Sequence, residues 1–238
     1  MKNKQWIPLV GALCLSMVLG GCGPAEKEAE LSASSAATEG SAPVEEAAPE
    51  EGRTLVAVFS LADNAAWEKD VDALASATFN ETDAGLVGDT ELLSEIALQV
   101  SEGDYYEIVA ATPYPDDESA VYTQAQKEQL DQARPALVKN VDNMDEYSTV
   151  ILIYPNWWGG LPMPVATFLE AYDISDKTLI PICSYDAEDS GTEKNREVIE
   201  GLCDAYVTKS YKVRSGGAST KGTRIDLKNW LNDLPVNY

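Results

Sequence analysis

The stretch STVILIY, residues 148–154, decides the fold because nearly all of its side chains are apolar or β-branched. Such a continuous apolar run is typical of a central parallel strand that is covered on both of its faces. Shorter runs of the same kind predict four more strands, at residues 54–59, 105–111, 178–183 and 205–213. The sequence therefore predicts a sheet of five strands.

Helical patterns separate these strands. Residues 89–102 carry apolar side chains at spacings of three and four on one helical face, and Asp89 is the expected N-cap. Similar patterns predict helices at residues 123–141, with a break or kink at Pro135, and at residues 164–172, 192–203 and 221–234. Because strands and helices alternate, we expect an α/β three-layer sandwich with right-handed crossovers. In such folds ligands bind beyond the carboxyl ends of the strands, at the switch point in the strand order.

The charge and the missing histidine exclude several classes of function. The chain has 17 Lys and Arg residues against 40 Asp and Glu residues, for a net charge of −23. Binding to nucleic acid requires clustered basic side chains, and so does attraction to an anionic lipid surface. Because the chain has no histidine, Ser-His-Asp triads, HExxH zinc sites and histidine acid–base catalysis are also excluded.

The first residues have the features of an export signal. Two lysines precede an apolar run at residues 6–19, which is too short to span a membrane. The run leads into Leu19-Gly20-Gly21-Cys22, which resembles a bacterial lipoprotein signal. We therefore expect residues 1–21 to be a signal peptide and Cys22 to be lipidated, which would anchor the protein outside the cytoplasm at the bacterial cell membrane. In the alternative, an ordinary secretory signal, Cys22 has no such role.

The segment that follows is predicted to be a stalk. Residues 22–53 are rich in Ala, Glu, Ser and Pro and contain no aromatic residue, a composition that cannot bury enough apolar surface to fold. An interaction tail is the alternative. One folded domain is expected at residues 54–238, in which Cys183 and Cys203 are core thiols. A disulfide between these two cysteines is the alternative.

A long insert, at about residues 61–87, separates the first predicted strand from the next helix. Ordinary βα loops are much shorter, so the insert is either functional or has structure of its own. The spacing of Trp67, Val71 and Leu74 predicts a short helix inside it. The insert leads into Gly88-Asp89-Thr90, where backbone N–H groups and the helix dipole could bind an anion. An ordinary capped helix start is the alternative.

The segment YPNWWGGLPMP, residues 154–164, follows the central strand. Two adjacent tryptophans beside two glycines make a flat apolar wall on which a planar ligand could stack. In the alternative, the two indoles pack against neighbouring helices.

These residues together resemble a known family. The start Val58-Phe59-Ser60, the late Gly-x-Thr helix start, the segment at residues 154–183 and the amphipathic terminal helix resemble flavodoxin-like proteins. The greatest likeness is to a lipoprotein group of that family with a long insert in the phosphate loop. The resemblance covers nearly all of residues 54–238 and implies a parallel sheet of order 2-1-3-4-5 with a non-covalently bound FMN.

The resemblance also implies roles for individual residues. The FMN phosphate would lie against Ser60, Gly88, Asp89 and Thr90. The ribityl chain and the ring edge would lie against Pro155, Asn156 and Trp157, and Trp158, just before Gly159, would stack on the isoalloxazine. The loop that starts with Ser184 and Tyr185 would cover the other side of the ring.

Two positions depart from the family pattern. Asp89 replaces the usual asparagine and would place a carboxylate beside a phosphate, which costs binding unless the side chain turns away to cap the helix. The turn after the fourth strand is SYDAEDSG, residues 184–191, where the family usually has glycine and serine. Its carboxylates at Asp186, Glu188 and Asp189 would either lower the flavin potential or form a solvated acidic rim.

Three functions follow as hypotheses. The first is a membrane-anchored FMN protein for electron transfer or NAD(P)H/quinone-type reduction, whose acidic surface would steer a basic redox partner that the sequence does not identify. The second is a flavodoxin fold that has lost FMN and acts as an extracytoplasmic binding or scaffolding lipoprotein. The third is cation binding or hydrolysis by the carboxylates of residues 186–189.

Overall fold

The computed structural model describes residues 52–65, 79–82, 85–185 and 192–238. The strands are β1 (Arg53–Val58), β2 (Phe79–Thr82), β3 (Gly85–Gly88), β4 (Asp104–Glu107), β5 (Tyr147–Pro155), β6 (Thr178–Tyr185), β7 (Tyr206–Val207) and β8 (Tyr211–Arg214). The helices are α1 (Leu61–Asn64), α2 (Asp89–Ser101), α3 (Glu118–Leu130), α4 (Met163–Glu170), α5 (Thr192–Leu202) and α6 (Lys221–Asn232).

The main sheet is parallel, in the order β4-β1-β5-β6, with β7 and β8 both pairing with β6. This order confirms the predicted 2-1-3-4-5 sheet. The predicted single strand at residues 205–213 is wrong in one respect, because it forms two short strands. β7 pairs with Thr178 and Leu179, and β8 pairs with β6 from Ile182 onward. Pro181, which has no amide hydrogen to donate, lies in the gap between the two pairings.

Helices cover both faces of the sheet. On one face α3, α4 and α5 pack over the even-numbered side chains of β5, which include Leu152 and Tyr154. On the other face α2 and α6 pack over Ile151 and Ile153. The side chains of β5 are therefore buried on both faces, and this confirms the central strand predicted from its continuous apolar sequence.

The helix predicted at residues 123–141 is shorter and begins earlier. It is α3, which ends at Leu130, and Leu130 is 84% exposed instead of packed in the core. Gln132 has a positive φ of 50°, and Pro135 cannot continue the hydrogen-bond ladder. Leu137 instead forms an isolated antiparallel bridge with Ala110.

The strand predicted at residues 105–111 is also shorter, because a buried asparagine takes over its last hydrogen bonds. Asn64 donates through Nδ2 to the carbonyl oxygens of Ser60 (2.7 Å) and Ile108 (3.0 Å). Its Oδ1 accepts from the amide of Ala110 at 2.7 Å. Asn64 therefore fastens the chain that leaves β1 to the chain that leaves β4.

The insert contains an element that the sequence did not predict. β2 and β3 form an antiparallel hairpin that leads directly into α2. The helix predicted around Trp67, Val71 and Leu74 lies outside the described residues. Asp89 is not the N-cap, which is Gly88, whose amide donates to the Glu91 carboxylate.

Both cysteines of the domain are free thiols. Burial raises the pKa of Cys183 to about 12, so this thiol stays protonated at neutral pH. Cys203 is half-buried and packs against the same core cluster. The prediction of two core thiols is confirmed.

Candidate functional site

The site lies at the carboxyl edge of the sheet, beside β1, which is the point where the strand order reverses direction. β4 pairs with one side of β1 and β5 with the other, and the crevice beyond such a point is where α/β folds bind ligands. Three predicted groups of residues meet at this edge: Ser60 after β1, the residues after β5, and the end of β6. The backbone of Asn156 donates to the carbonyl of Ser184 at 2.7 Å, which joins the last two of them.

A tight turn follows β5 and carries the second tryptophan. The amide of Trp157 donates to the carbonyl of Gly160 (3.0 Å), and the reverse bond measures 2.9 Å. The two residues between them, Trp158 and Gly159, have positive φ values of 51° and 77°. Glycine adopts this conformation freely, whereas a tryptophan adopts it under strain, and such strain concentrates at functional sites.

The two tryptophans have different surroundings. Trp157 is 8% exposed and meets Phe59 and Tyr114 edge to face, with ring centroids 5.5 Å and 5.7 Å apart. Trp158 is 44% exposed, and its only close ring partners in the described residues are Trp157 and Tyr122, the latter at 4.5 Å and also exposed. Core packing is thus what the structure shows for Trp157, and Trp158 is the indole that a planar ligand can reach.

The turn is stabilised by hydrogen bonds from a side chain that the sequence analysis did not identify. Gln129, near the end of α3, donates through Nε2 to the carbonyls of Trp157 (2.9 Å) and Leu161 (3.1 Å). A Cβ at Gly160 would lie 3.0 Å from this same Nε2, so glycine allows the close approach. No local pattern marks Gln129, because its partners lie 28 and 32 residues away.

A second unpredicted residue, Asn195 of α5, lies behind the ends of β5 and β6. Its Nδ2 donates to Oδ1 of Asn156 at 2.8 Å. Asn195 Oδ1 and the hydroxyl of Ser184 are buried and have no hydrogen-bond partner among the described residues. Since buried polar atoms are nearly always bonded in native proteins, these two atoms are available to a ligand. Pro155 is buried at the last pair of the β5–β6 ladder, and Tyr185 is half-buried at the end of β6.

The start of α2, with Gly88 and Thr90, lies next to Ser60. The hydroxyl of Ser60 donates to Oε1 of Glu91 at 2.8 Å, and the amide of Gly88 donates to the same oxygen at 3.2 Å. The Thr90 hydroxyl is buried and has no partner among the described residues. We call Ser60, Gly88 and Thr90 the cradle.

Asp89 turns away from the cradle, but not to cap the helix. Its side chain is buried, and Oδ2 accepts from the amide of Gly216 at 3.0 Å. Gly216 lies in the turn between β8 and α6, with a positive φ of 74°. Asp89 therefore ties the start of α2 to this turn, and its carboxylate already has a donor there.

Carboxylates from three elements gather beside the cradle. Partial burial, and after it the charge of Glu107 on β4, raises the pKa of Asp63 on α1 to about 6. Burial also raises the pKa of Glu91, the Asp63 charge adds to this, and the Ser60 hydrogen bond opposes it. Burial and these three carboxylates raise the pKa of Tyr105. We call Asp63, Glu91 and Glu107 the acidic cluster, and their separation in sequence explains why no local pattern predicted it.

Several predictions fall outside the described residues. These are the signal peptide, Cys22, the stalk and the carboxylates at residues 186–189. In the part that is described, no group of three or more His, Cys, Asp or Glu side chains is arranged to hold a metal ion. The helices of that part are all too short or too polar to cross a membrane.

Comparison with known proteins identifies the family. The flavodoxin family model matches residues 84–234, more than half of the chain. A candidate flavoprotein from Bacteroides eggerthii is 22% identical with a TM-score of 0.57, and the match covers 78% of this chain and 99% of the other. One from Bacteroides uniformis is also 22% identical, with a TM-score of 0.54, and covers 77% and 100%. No curated protein matches the chain. The chain belongs to the flavodoxin family.

Proposed function

We propose that this protein binds FMN at the carboxyl ends of β1, β5 and β6 and uses it in electron transfer or NAD(P)H/quinone-type reduction. Family membership supports FMN as the cofactor. The observation that carries the proposal is Trp158, an exposed indole held at positive φ in the turn that follows the central strand. The exposed part of this indole could stack on a planar ligand.

The residues at the ring end fit a flavin. Trp158 offers the stacking face, and Asn156 is held by Asn195 next to it. The buried hydroxyl of Ser184 and Oδ1 of Asn195, which have no partner among the described residues, could bond to the ring or the ribityl chain. At the other end Thr90 offers a buried hydroxyl in the first turn of α2, where the helix dipole favours an anion.

The bound flavin would supply the redox chemistry, by one-electron or hydride transfer. The protein's own residues bind and orient it. Trp158 and the end of β6 would shield the ring from water, and Gln129 keeps the turn that carries Trp158 in place. The chemistry requires no side-chain acid or base of this chain.

The proposal extends to location and partner. The positive start, the apolar run and Leu19-Gly20-Gly21-Cys22 support export and lipidation of Cys22. The net charge of −23 supports a basic redox partner drawn by long-range attraction. If so, the association rate with that partner falls steeply as salt is added, and a flat salt response would contradict this part.

The test is FMN binding by the full chain, purified in detergent and followed by visible absorption and flavin fluorescence. We expect a yellow protein, or tight uptake of added FMN with quenched fluorescence. Trp158→Ala should weaken binding about tenfold because the stacking face is lost. Tyr206→Ala is the matched control, since Tyr206 is 62% exposed and lies on β7, beside the amino end of β6.

One observation favours a second function, a binding or scaffolding lipoprotein without FMN. Two donors of the cradle, Ser60 and Gly88, already bond to Glu91 within the protein. A colourless protein that leaves added flavins fluorescent would contradict the first function and favour the second.

A further inference from the structure

The cradle holds a carboxylate where the proposed FMN site would place the phosphate. Oε1 of Glu91 accepts both from the Ser60 hydroxyl (2.8 Å) and from the Gly88 amide (3.2 Å). A phosphate oxygen at the start of a helix accepts from the same kinds of donor. A single acceptor oxygen of the chain itself thus satisfies the two groups that would otherwise bind an external anion.

Displacing Glu91 has a cost that depends on charge. The leaving carboxylate would give up two hydrogen bonds, and the arriving phosphate would add negative charge beside Asp63 and Glu107. Like charges at short range in a partly desolvated site disfavour each other. The ring end should not be affected, because within the described residues no hydrogen bond or ring contact joins Trp158, Asn156 or Ser184 to the acidic cluster.

We propose that Glu91 is an internal occupant of the phosphate cradle and determines flavin specificity. While Glu91 is ionised and in place, the 5′-phosphate adds little to binding, so the protein takes riboflavin and FMN with similar affinity. When Glu91 is neutral or absent, the cradle accepts the phosphate and FMN is preferred. This inference rests on the proposed flavin site.

The groups around Glu91 give the preference a pH dependence. Asp63 of α1 faces Glu91, Glu107 of β4 faces Asp63 in turn, and Tyr105 of β4 lies near all three. Tyr105 stays neutral, because its pKa is raised. Because the pKa of Glu91 is raised, its carboxylate is protonated at a higher pH than that of an ordinary glutamate. The preference for FMN should therefore grow as the pH falls.

The experiment compares dissociation constants for FMN and riboflavin, measured by flavin fluorescence on the full chain in detergent. The variants are Glu91→Gln, which removes the charge, and Glu91→Ala, which also empties the cradle. Glu95→Gln is the matched control, since Glu95 lies one turn further along α2 and pairs with Arg224 at 3.2 Å on the surface. We expect a riboflavin-to-FMN ratio of dissociation constants below about 3 for the unaltered protein at about pH 7.5.

Both Glu91 variants should raise that ratio about tenfold or more, and Glu95→Gln should leave it unchanged. The phosphate of FMN also titrates near pH 6, so the pH series is read against Glu91→Ala. As the pH is lowered from about 7.5, the ratio of the unaltered protein should rise toward that of Glu91→Ala, because the pKa of Glu91 is raised.

The outcomes separate this inference from the proposed function. Flavin binding with a ratio that neither Glu91 variant changes would overturn the role of Glu91 and leave the flavin site standing. An unaltered protein that already prefers FMN strongly at neutral pH would overturn it as well. If neither flavin binds to any variant at any pH, the proposed function itself is wrong.

Discussion

At the carboxyl end of β5 the turn that carries Trp158 is closed by its own main chain and by Gln129, whereas at the start of α2 the donors of Ser60 and Gly88 bond to a carboxylate. The first region leaves an aromatic face and buried polar atoms available to a ligand. The second has a ligand-like group of its own in place. In the proposed flavin site, the ring end is therefore ready for a ligand, whereas binding at the phosphate end would depend on the charge of Glu91.

The largest effect we expect separates the two tryptophans of the turn. Trp157→Ala removes a buried indole that packs on Phe59 and Tyr114, and should lower the free energy of unfolding by about 3–5 kcal/mol. Trp158→Ala should lower it by less than about 1 kcal/mol, because that side chain is half in solvent. Urea denaturation of both variants measures the difference. Equal losses would contradict the division into one packing and one ligand-facing indole.

The features that could be predicted from the sequence are those formed by residues close together in the chain. The continuous apolar run of β5 and the segment after it are local, so the central strand and a loop with two tryptophans as a candidate ligand wall could be predicted from the residues. The sheet order and the role of Trp158 followed only from the resemblance to flavodoxin-like proteins. The split of the last strand could not be predicted, because it depends on Pro181 of β6, a different strand. The helix predicted at residues 123–141 extends too far because the apolar spacing continues beyond Leu130, where α3 ends. Pro135 indicated a break, but not its position.

The phosphate end was less predictable because its partners are far apart. Ser60 and Glu91 are separated by 31 residues, and Asn64 reaches Ala110 across 46. The sequence did mark position 89 as unusual, but only the fold shows that Asp89 faces Gly216. The sequence alone does not show which of the carboxylates of Asp63, Asp89 and Glu91 will bond to the donors of the cradle.

An intermediate effect should come from the support beneath the turn. Gln129→Ala removes both hydrogen bonds to the carbonyls of Trp157 and Leu161, and should lower the free energy of unfolding by about 1–2 kcal/mol. It should also weaken flavin binding severalfold, since Trp158 is no longer held in position. Gln126→Ala on the same helix is the control, because in the described part of the chain the hydrogen bonds from this helix to the turn come from Gln129. If the two variants bind flavin equally well, Gln129 does not position the site.

The smallest effect concerns the acidic cluster without any ligand. The pKa of Asp63 is raised to about 6 in the folded protein, first by partial burial and then by Glu107, so its ionised form destabilises the fold. Stability is greatest below the ordinary aspartate pKa and is lost as the pH rises through about 6. Asp63→Asn should therefore raise the melting temperature at neutral pH and leave it unchanged at low pH. The corresponding gain in the free energy of unfolding is no more than about 1 kcal/mol, because the side chain is partly solvated. Asp142→Asn, at an exposed position ahead of β5, changes the net charge equally and should not alter the pH profile. If the melting temperatures of the two variants depend on pH in the same way, the ionised acidic cluster does not destabilise the fold. Solvation by water would then be enough to offset the repulsion between its carboxylates.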